Sequence, residues 1–383
     1  MTTSSCAGCP CSAPCTSPTG GSLLLATQVD HTATVLRTLA RRQGVPLRVL
    51  APGLLALQTE DADAFVTHAG AALSPVEAAE VRCTVLAGLD PTAPEVLRRA
   101  LTAPTLAAAA ARLRHADLLP LFADEAAGFY AEYQPIVSLT DRRTIGFEAL
   151  LRGVTPGGLR LSPDELFPAA EAAGWTHLLD RVGRTTALRD AAGWLAPDQL
   201  LFINFIPTSI YRPEVCLRTT EQAARDAGIG LDQVVFEVTE THLVRDVDHL
   251  QGVFDHYRSR SCRVALDDLG AGYASLTMLV RLRPDVVKLD KELVQALPDP
   301  TSRAVVAAVV DIAHSYGGRV LAEAVETEEQ AAAAAQLGVD LGQGWLFGHP
   351  ERRAAAGPTE TRPARLPRAR QTRSRGGAVT RSG

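Results

Sequence analysis

Arg263-Val-Ala-Leu-Asp-Asp-Leu-Gly-Ala-Gly-Tyr-Ala-Ser-Leu276 decides how the chain is read. An apolar run ends at Leu266, two carboxylates follow as Asp267 and Asp268, and a loop with Gly270 and Gly272 comes next. Glycine has no Cβ, so such a loop can turn tightly and let a ligand approach the backbone. Adjacent aspartates repel and are costly to hold together unless a cation lies between them. Alone, the stretch reads as a solvated strand end with a glycine turn. Its surroundings change that reading, because other apolar runs also end in a polar residue able to bind metal or move protons.

Working outward, strand-like runs fall at 133–138, 143–151, 200–204, 233–238, 263–266, 285–289, 319–322 and 341–346, with helical stretches between most of them. Eight strands alternating with helices over about 220 residues predict a (β/α)8 TIM-type barrel. The first two runs are joined only by Leu139-Thr-Asp-Arg142, which is hairpin length. A parallel pair needs a crossover of a dozen or more residues, so the first strand is predicted to run antiparallel, making the barrel irregular.

In such barrels the active site lies at the C-terminal strand ends. Those ends carry Glu148 with Arg152, Asn204, Glu237 with Glu240, Asp267 with Asp268, Lys288, Glu323 with Glu326, and Gln343. Each has a bland alternative. Lys288, for one, could pair with Asp290 in a structural bridge, since alternation puts both on one face. Seven such ends on one rim are hard to explain by seven separate alternatives. Carboxylates, an amide oxygen and one lysine suit a hard cation, Mg²⁺ or Mn²⁺. Lysine is also rare here: Lys288 and Lys291 stand against 36 arginines.

The 383 residues allow one large and one smaller domain, divided as 1–20, a Cys-rich leader; 21–92, a small α+β domain; 93–128, a helical linker; 129–352, the barrel; and 353–383, a basic tail. The small domain's order of strand, helix, strand, strand, helix, strand suits a ferredoxin-like sandwich. No apolar run reaches the roughly 18 residues of a membrane span, and the N-terminus has no secretory pattern, so a cytoplasmic protein is expected. Net charge is −5, but residues 351–383 hold nine arginines against two glutamates. That segment reads as a disordered solubilising tail, with contact to an anionic surface as the alternative and no nucleic-acid partner predicted. Cys6, Cys9, Cys11 and Cys15 crowd the leader and read either as a zinc or iron site or as a reduced tail.

The chain resembles EAL domains, the phosphodiesterases of cyclic di-GMP. The likeness rests on Tyr133-Gln-Pro-Ile-Val137, Glu148-Ala-Leu-Leu-Arg152, Phe236-Glu-Val-Thr-Glu240, Leu266-Asp-Asp-Leu-Gly-Ala-Gly-Tyr273, Val287-Lys-Leu-Asp290, Ala322-Glu-Ala-Val-Glu-Thr327 and Gln343-Gly-Trp-Leu-Phe-Gly-His-Pro350. It implies that Glu148, Asn204, Glu237, Asp267 and Asp268 hold two Mg²⁺ or Mn²⁺ ions. Lys288 and Glu323 would position and deprotonate the attacking water, and Gln343 would complete the shell around it. Arg152 would bind a substrate phosphate and Glu240 would pin the 268–275 loop. The implied activity is hydrolysis of cyclic di-GMP to linear pGpG, by a homodimer formed through the barrel. A receptor that binds without turnover is the alternative, and it would be expected to lose metal ligands that this chain keeps. The chain departs from the family at Leu269, Ala271 and Ala274 in the loop, at Ile203-Asn-Phe-Ile-Pro207, and at Ala324, where glycine is usual. No cyclase signature of the Gly-Gly-Asp-Glu-Phe type occurs.

Four thiols within ten residues are improbable in so cysteine-poor a chain. Elemental analysis of anaerobically purified protein is expected to find zinc or iron that disappears when residues 1–20 are deleted. Metal-free full-length protein would contradict the metal reading of the leader.

Overall fold

The hairpin at Leu139–Arg143 reverses the chain, so the two strands it joins run antiparallel. In the computed structural model, residues 21–86, 94–210, 213–239, 247–269 and 276–353 are described. The first four strands are β1 (Gly21–Ala26), β2 (Leu47–Ala51), β3 (Leu54–Thr59) and β4 (Arg82–Leu86). They form an antiparallel sheet in the order β2-β3-β1-β4, the order of a ferredoxin-like sandwich. A capped turn of helix, Pro75–Glu80, precedes the last strand and is held by reciprocal Ser74 and Glu77 hydrogen bonds.

Among the described residues nine further strands follow: β5 (Phe129–Ser138), β6 (Thr144–Val154), β7 (Arg160–Leu161), β8 (Leu200–Asn204), β9 (Val234–Thr239), β10 (Arg263–Leu269), β11 (Val286–Leu289), β12 (Arg319–Ala322) and β13 (Leu341–Gln343). All but β7 close into an eight-stranded barrel, ordered β5-β13-β12-β11-β10-β9-β8-β6, with β6 pairing back to β5. As the short hairpin requires, β5 is antiparallel to both neighbours, while the pairs from β6 through β8 to β13 are parallel. The parallel strands are continuous apolar runs, such as Leu200-Leu-Phe-Ile203, because helices cover their outer faces.

Apolar side chains plug the barrel floor: Ile136, Leu200, Phe202, Val235, Ala265, Val286, Leu321 and Leu341, all buried. Strand side chains alternate with period two, so in the parallel strands the residue two positions on from Phe202, Val235, Ala265, Val286, Leu321 or Leu341 also points inward, one layer nearer the rim. Those residues are Asn204, Glu237, Asp267, Lys288, Glu323 and Gln343. In β6 the same step leads from Gly146 to Glu148. A Cβ on Gly146 would lie 2.3 Å from the carbonyl oxygen of Leu200, so only glycine lets β6 and β8 pack this closely. In β10 the pairing with β11 slips between Leu266 and Leu269, a bulge across the Asp267-Asp268 pair. Such bulges release neighbouring residues from strict alternation.

The helix Leu106–Arg114 ties the two parts of the chain together. Leu106 is buried in the core beneath the first sheet. Ala111 packs among Leu118, Phe122 and Trp175 beside the barrel, and the Arg112 Nε donates to the Ala173 carbonyl at 2.7 Å. Among the described residues, no helix is long and apolar enough to cross a membrane.

Ala324 adopts φ +48°, the left-handed region that disfavours any side chain with a Cβ. This explains why glycine is usual there. Ala324→Gly is expected to raise stability by about 0.5–1 kcal/mol in urea denaturation, since relief of strain outweighs the added freedom of the unfolded chain. A lowered midpoint would show that the turn is not strained.

Candidate active site

Lys288 is the hub of the inward layer. Its side chain is 1% exposed, and its Nζ lies 2.7 Å from Glu323, 3.1 Å from Asp267, 3.2 Å from Glu237 and 3.7 Å from Glu148. The alternative partner Asp290 is engaged elsewhere, accepting the Glu292 N–H at the start of the next helix. Four carboxylates, three on β6, β9 and β10 and the fourth immediately after β12, therefore address one ammonium in dry surroundings. They spread around Nζ, and among the described residues no three close to metal-ligand spacing.

Glu148 is held on both oxygens. Its Oε1 accepts from Asn204 Nδ2 at 2.8 Å and its Oε2 from Gln343 Nε2 at 2.7 Å. Gln343 also donates to Gln134 Oε1 at 3.0 Å, and Gln134 Nε2 donates to the Gly348 carbonyl at 3.1 Å. Gln134 is a site residue that reading C-terminal strand ends misses. Because β5 is antiparallel, its residue at this level comes two positions before the floor residue Ile136 rather than two after. The signal was present in the predicted hairpin.

The carboxyls differ in acidity. Burial pushes Glu148 up, but Lys288 and the hydrogen bonds from Gln343 and Asn204 outweigh it and leave the group below its usual range. Burial, with the repulsion of Glu148, Asp267 and Glu323, holds Glu237 well above its usual range despite Lys288. Glu323 is pushed up to about 8 by burial and by Asp267 and Glu148, against the pull of Lys288. For Lys288 the surrounding carboxylates overcome burial and keep the ammonium charged.

Glu237 Oε2 and Gln343 Oε1 are buried without a hydrogen-bond partner, and Glu237 Oε1 is buried against the Lys288 ammonium at 3.2 Å. Polar atoms are rarely left so inside a protein. Orphaned oxygens beside surplus negative charge are what a hard divalent cation would satisfy, so this donor set fits one.

Arg152 lies on the same face of β6 as Glu148, roughly 13 Å further along at the usual strand rise. Its Nε donates to Glu132 Oε2 at 2.9 Å, so it sits on the rim rather than among the carboxylates. A cavity of about 550 Å³ opens beside Asn204, walled by Leu150, Phe167, His177, Asp180 and Ile203. The Asp268 side chain, Glu240, most of the glycine loop, the four leader cysteines and the basic tail lie outside the described residues. The anchoring role of Glu240 and the dimer reading thus rest on family resemblance.

A family model described as the EAL domain matches residues 112–350. The chain is similar to a probable cyclic di-GMP phosphodiesterase, PdeB of Escherichia coli, with 31% identity over 56% of this chain and 41% of that one. It spans 30–41% of the length of the first curated relatives it matches. Among solved structures it resembles the PaMucR phosphodiesterase in complex with cyclic di-GMP, at 28% identity and TM-score 0.55 over 61% of this chain and 97% of that one. It also resembles Klebsiella pneumoniae BlrP1 in complex with manganese and cyclic di-GMP, at 27% identity and TM-score 0.53 over 86% and 96%.

Removing the hub charge should be costly. Lys288→Met is expected to destabilise the protein by about 3–5 kcal/mol in divalent-free buffer, because it leaves buried carboxylates uncompensated. Unchanged stability in chemical denaturation would show that the carboxyls do not depend on the ammonium.

Proposed function

The chain belongs to the EAL domain family, and from that premise we propose that it hydrolyses one phosphodiester of cyclic di-GMP to give linear pGpG, using Mg²⁺ or Mn²⁺. The observation that carries this reading is the single inward layer that gathers Glu148, Asn204, Glu237, Asp267, Lys288, Glu323 and Gln343 above the apolar floor.

In this reading Glu148, Asn204, Glu237, Asp267 and Asp268 hold two divalent cations. When bound, the cations polarise a phosphate oxygen and acidify a water. The chain's residues do the rest. Glu323 sits 2.7 Å from the Lys288 ammonium, which favours its ionised form and orients it to accept the proton of the attacking water. Water oxygen bonds to phosphorus as one of its protons passes to Glu323, the bond from phosphorus to the ribose 3′ oxygen breaks, and that oxygen takes a proton from solvent, so that one water is consumed. Lys288 fixes the direction of Glu323 and adds positive charge beside the developing oxyanion. Gln343 and Asn204 keep Glu148 in one rotamer and ionised. Arg152 holds a phosphate at the rim, and the cavity beside Asn204 is large enough for a purine.

Chromatography of nucleotides after incubation with Mn²⁺ tests this. The expected product is pGpG. Glu323→Gln should lower the rate by about 10²–10⁴-fold with substrate binding retained. Glu148→Ala should abolish turnover. Recovery of intact cyclic di-GMP alongside tight binding would replace the enzyme with a receptor.

A further inference from the structure

Arg152 is one of three arginines gathered on the same rim. β5 and β6 pair Tyr130 with Arg152 and Glu132 with Leu150, and β7 brings Arg160 opposite Val154. The buried Glu132 carboxylate bridges the group: its Oε2 accepts from Arg152 and its Oε1 from Arg160. Arg160 also donates through Nε to the Tyr130 hydroxyl at 2.7 Å. The chain returns after the barrel to pair Glu351 with Tyr133, which lays the Arg352 guanidinium over the Tyr130 ring at 4.8 Å. Three positive charges thus surround one negative charge and one aromatic ring, a surplus of two. The inner arginine is 18% exposed in its side chain, whereas Arg160 is 66% exposed and Arg352 is also open to solvent.

This arrangement is more than a structural brace. Glu132 is already satisfied by Arg152 and Arg160 together, so Arg352 adds charge that no carboxylate there requires. Because one carboxylate touches both Arg152 and Arg160, their guanidinium groups lie only a carboxylate's width apart. Planar guanidinium groups fixed by a carboxylate and an aromatic face bind phosphate with little loss of freedom. We propose that Arg160 and Arg352 form a second phosphate-binding position on the rim, taking the phosphodiester of the cyclic dinucleotide that is not being cleaved. This rests on the reading of the chain as a binder of cyclic di-GMP. It adds two residues, supplied by β7 and by the segment after the barrel, to the anchoring assigned to Arg152.

Calorimetry on the full chain with cyclic di-GMP and Ca²⁺ tests it, comparing wild type, Arg160→Ala/Arg352→Ala and Arg160→Lys/Arg352→Lys at low and high salt. Arg352 is exposed and is not needed by Glu132, so Arg352→Ala alone should leave thermal melting unchanged, whereas Arg160 also pairs with the buried Glu132 and the melting of its variants is measured beside their affinity. The alanine variant is expected to bind about 10-fold more weakly at low salt, with the slope of log affinity against log salt reduced by about one. The lysine variant should recover most of the affinity. Equal affinity and slope in wild type and alanine variant would overturn the second position while leaving the phosphodiesterase reading intact. An equal loss of affinity for guanosine, which carries no phosphate, would also overturn it, because the effect would then be structural. Failure of wild type to bind cyclic di-GMP at all would overturn both.

Discussion

A buried ammonium facing four carboxylates is the constraint on which the site depends. Taking an ion from water into a protein interior costs several kcal/mol, and only close opposite charge offsets it. Lys288 meets that condition through Glu323, Asp267, Glu237 and Glu148, and each of them is in turn tolerated because Lys288 is there. The balance is uneven. Glu148, with two amide donors, stays acidic, while Glu237 and Glu323 have raised proton affinities. Carboxyls pushed apart in acidity within one site are suited to different tasks, one holding charge and another moving protons.

The barrel makes this arrangement possible by separating packing from chemistry in successive layers. The apolar floor, from Ile136 to Leu341, excludes water from below. One residue pair nearer the rim, the same strands present their polar residues. Neither layer requires an unusual backbone, apart from the bulge in β10 and the close approach at Gly146. Strain appears where the chain turns immediately after Glu323, at Ala324.

Much of this was legible in the sequence, because period-two alternation and strand ends are local signals. Phe202 to Asn204, Val235 to Glu237 and Val286 to Lys288 can each be read from five or six residues. The antiparallel first strand followed from the length of a single loop. What was not legible depends on contacts between distant segments. Gln134 reaches Gln343 across more than two hundred residues. Glu132 gains its meaning only when β7 delivers Arg160 and the returning chain delivers Arg352. Local punctuation matters as well: the segment after β11 forms two helices, Lys291–Gln295 and Pro300–Ser315, since proline at 300 can start a helix but not continue one.

The reading of this layer as a cage for two divalent cations is tested most directly by titrating purified protein with Mn²⁺ under electron paramagnetic resonance. Two Mn²⁺ per chain with a spin-coupled spectrum are expected, and Glu237→Gln should abolish the coupling. A free-Mn²⁺ signal undiminished by wild-type protein would contradict it.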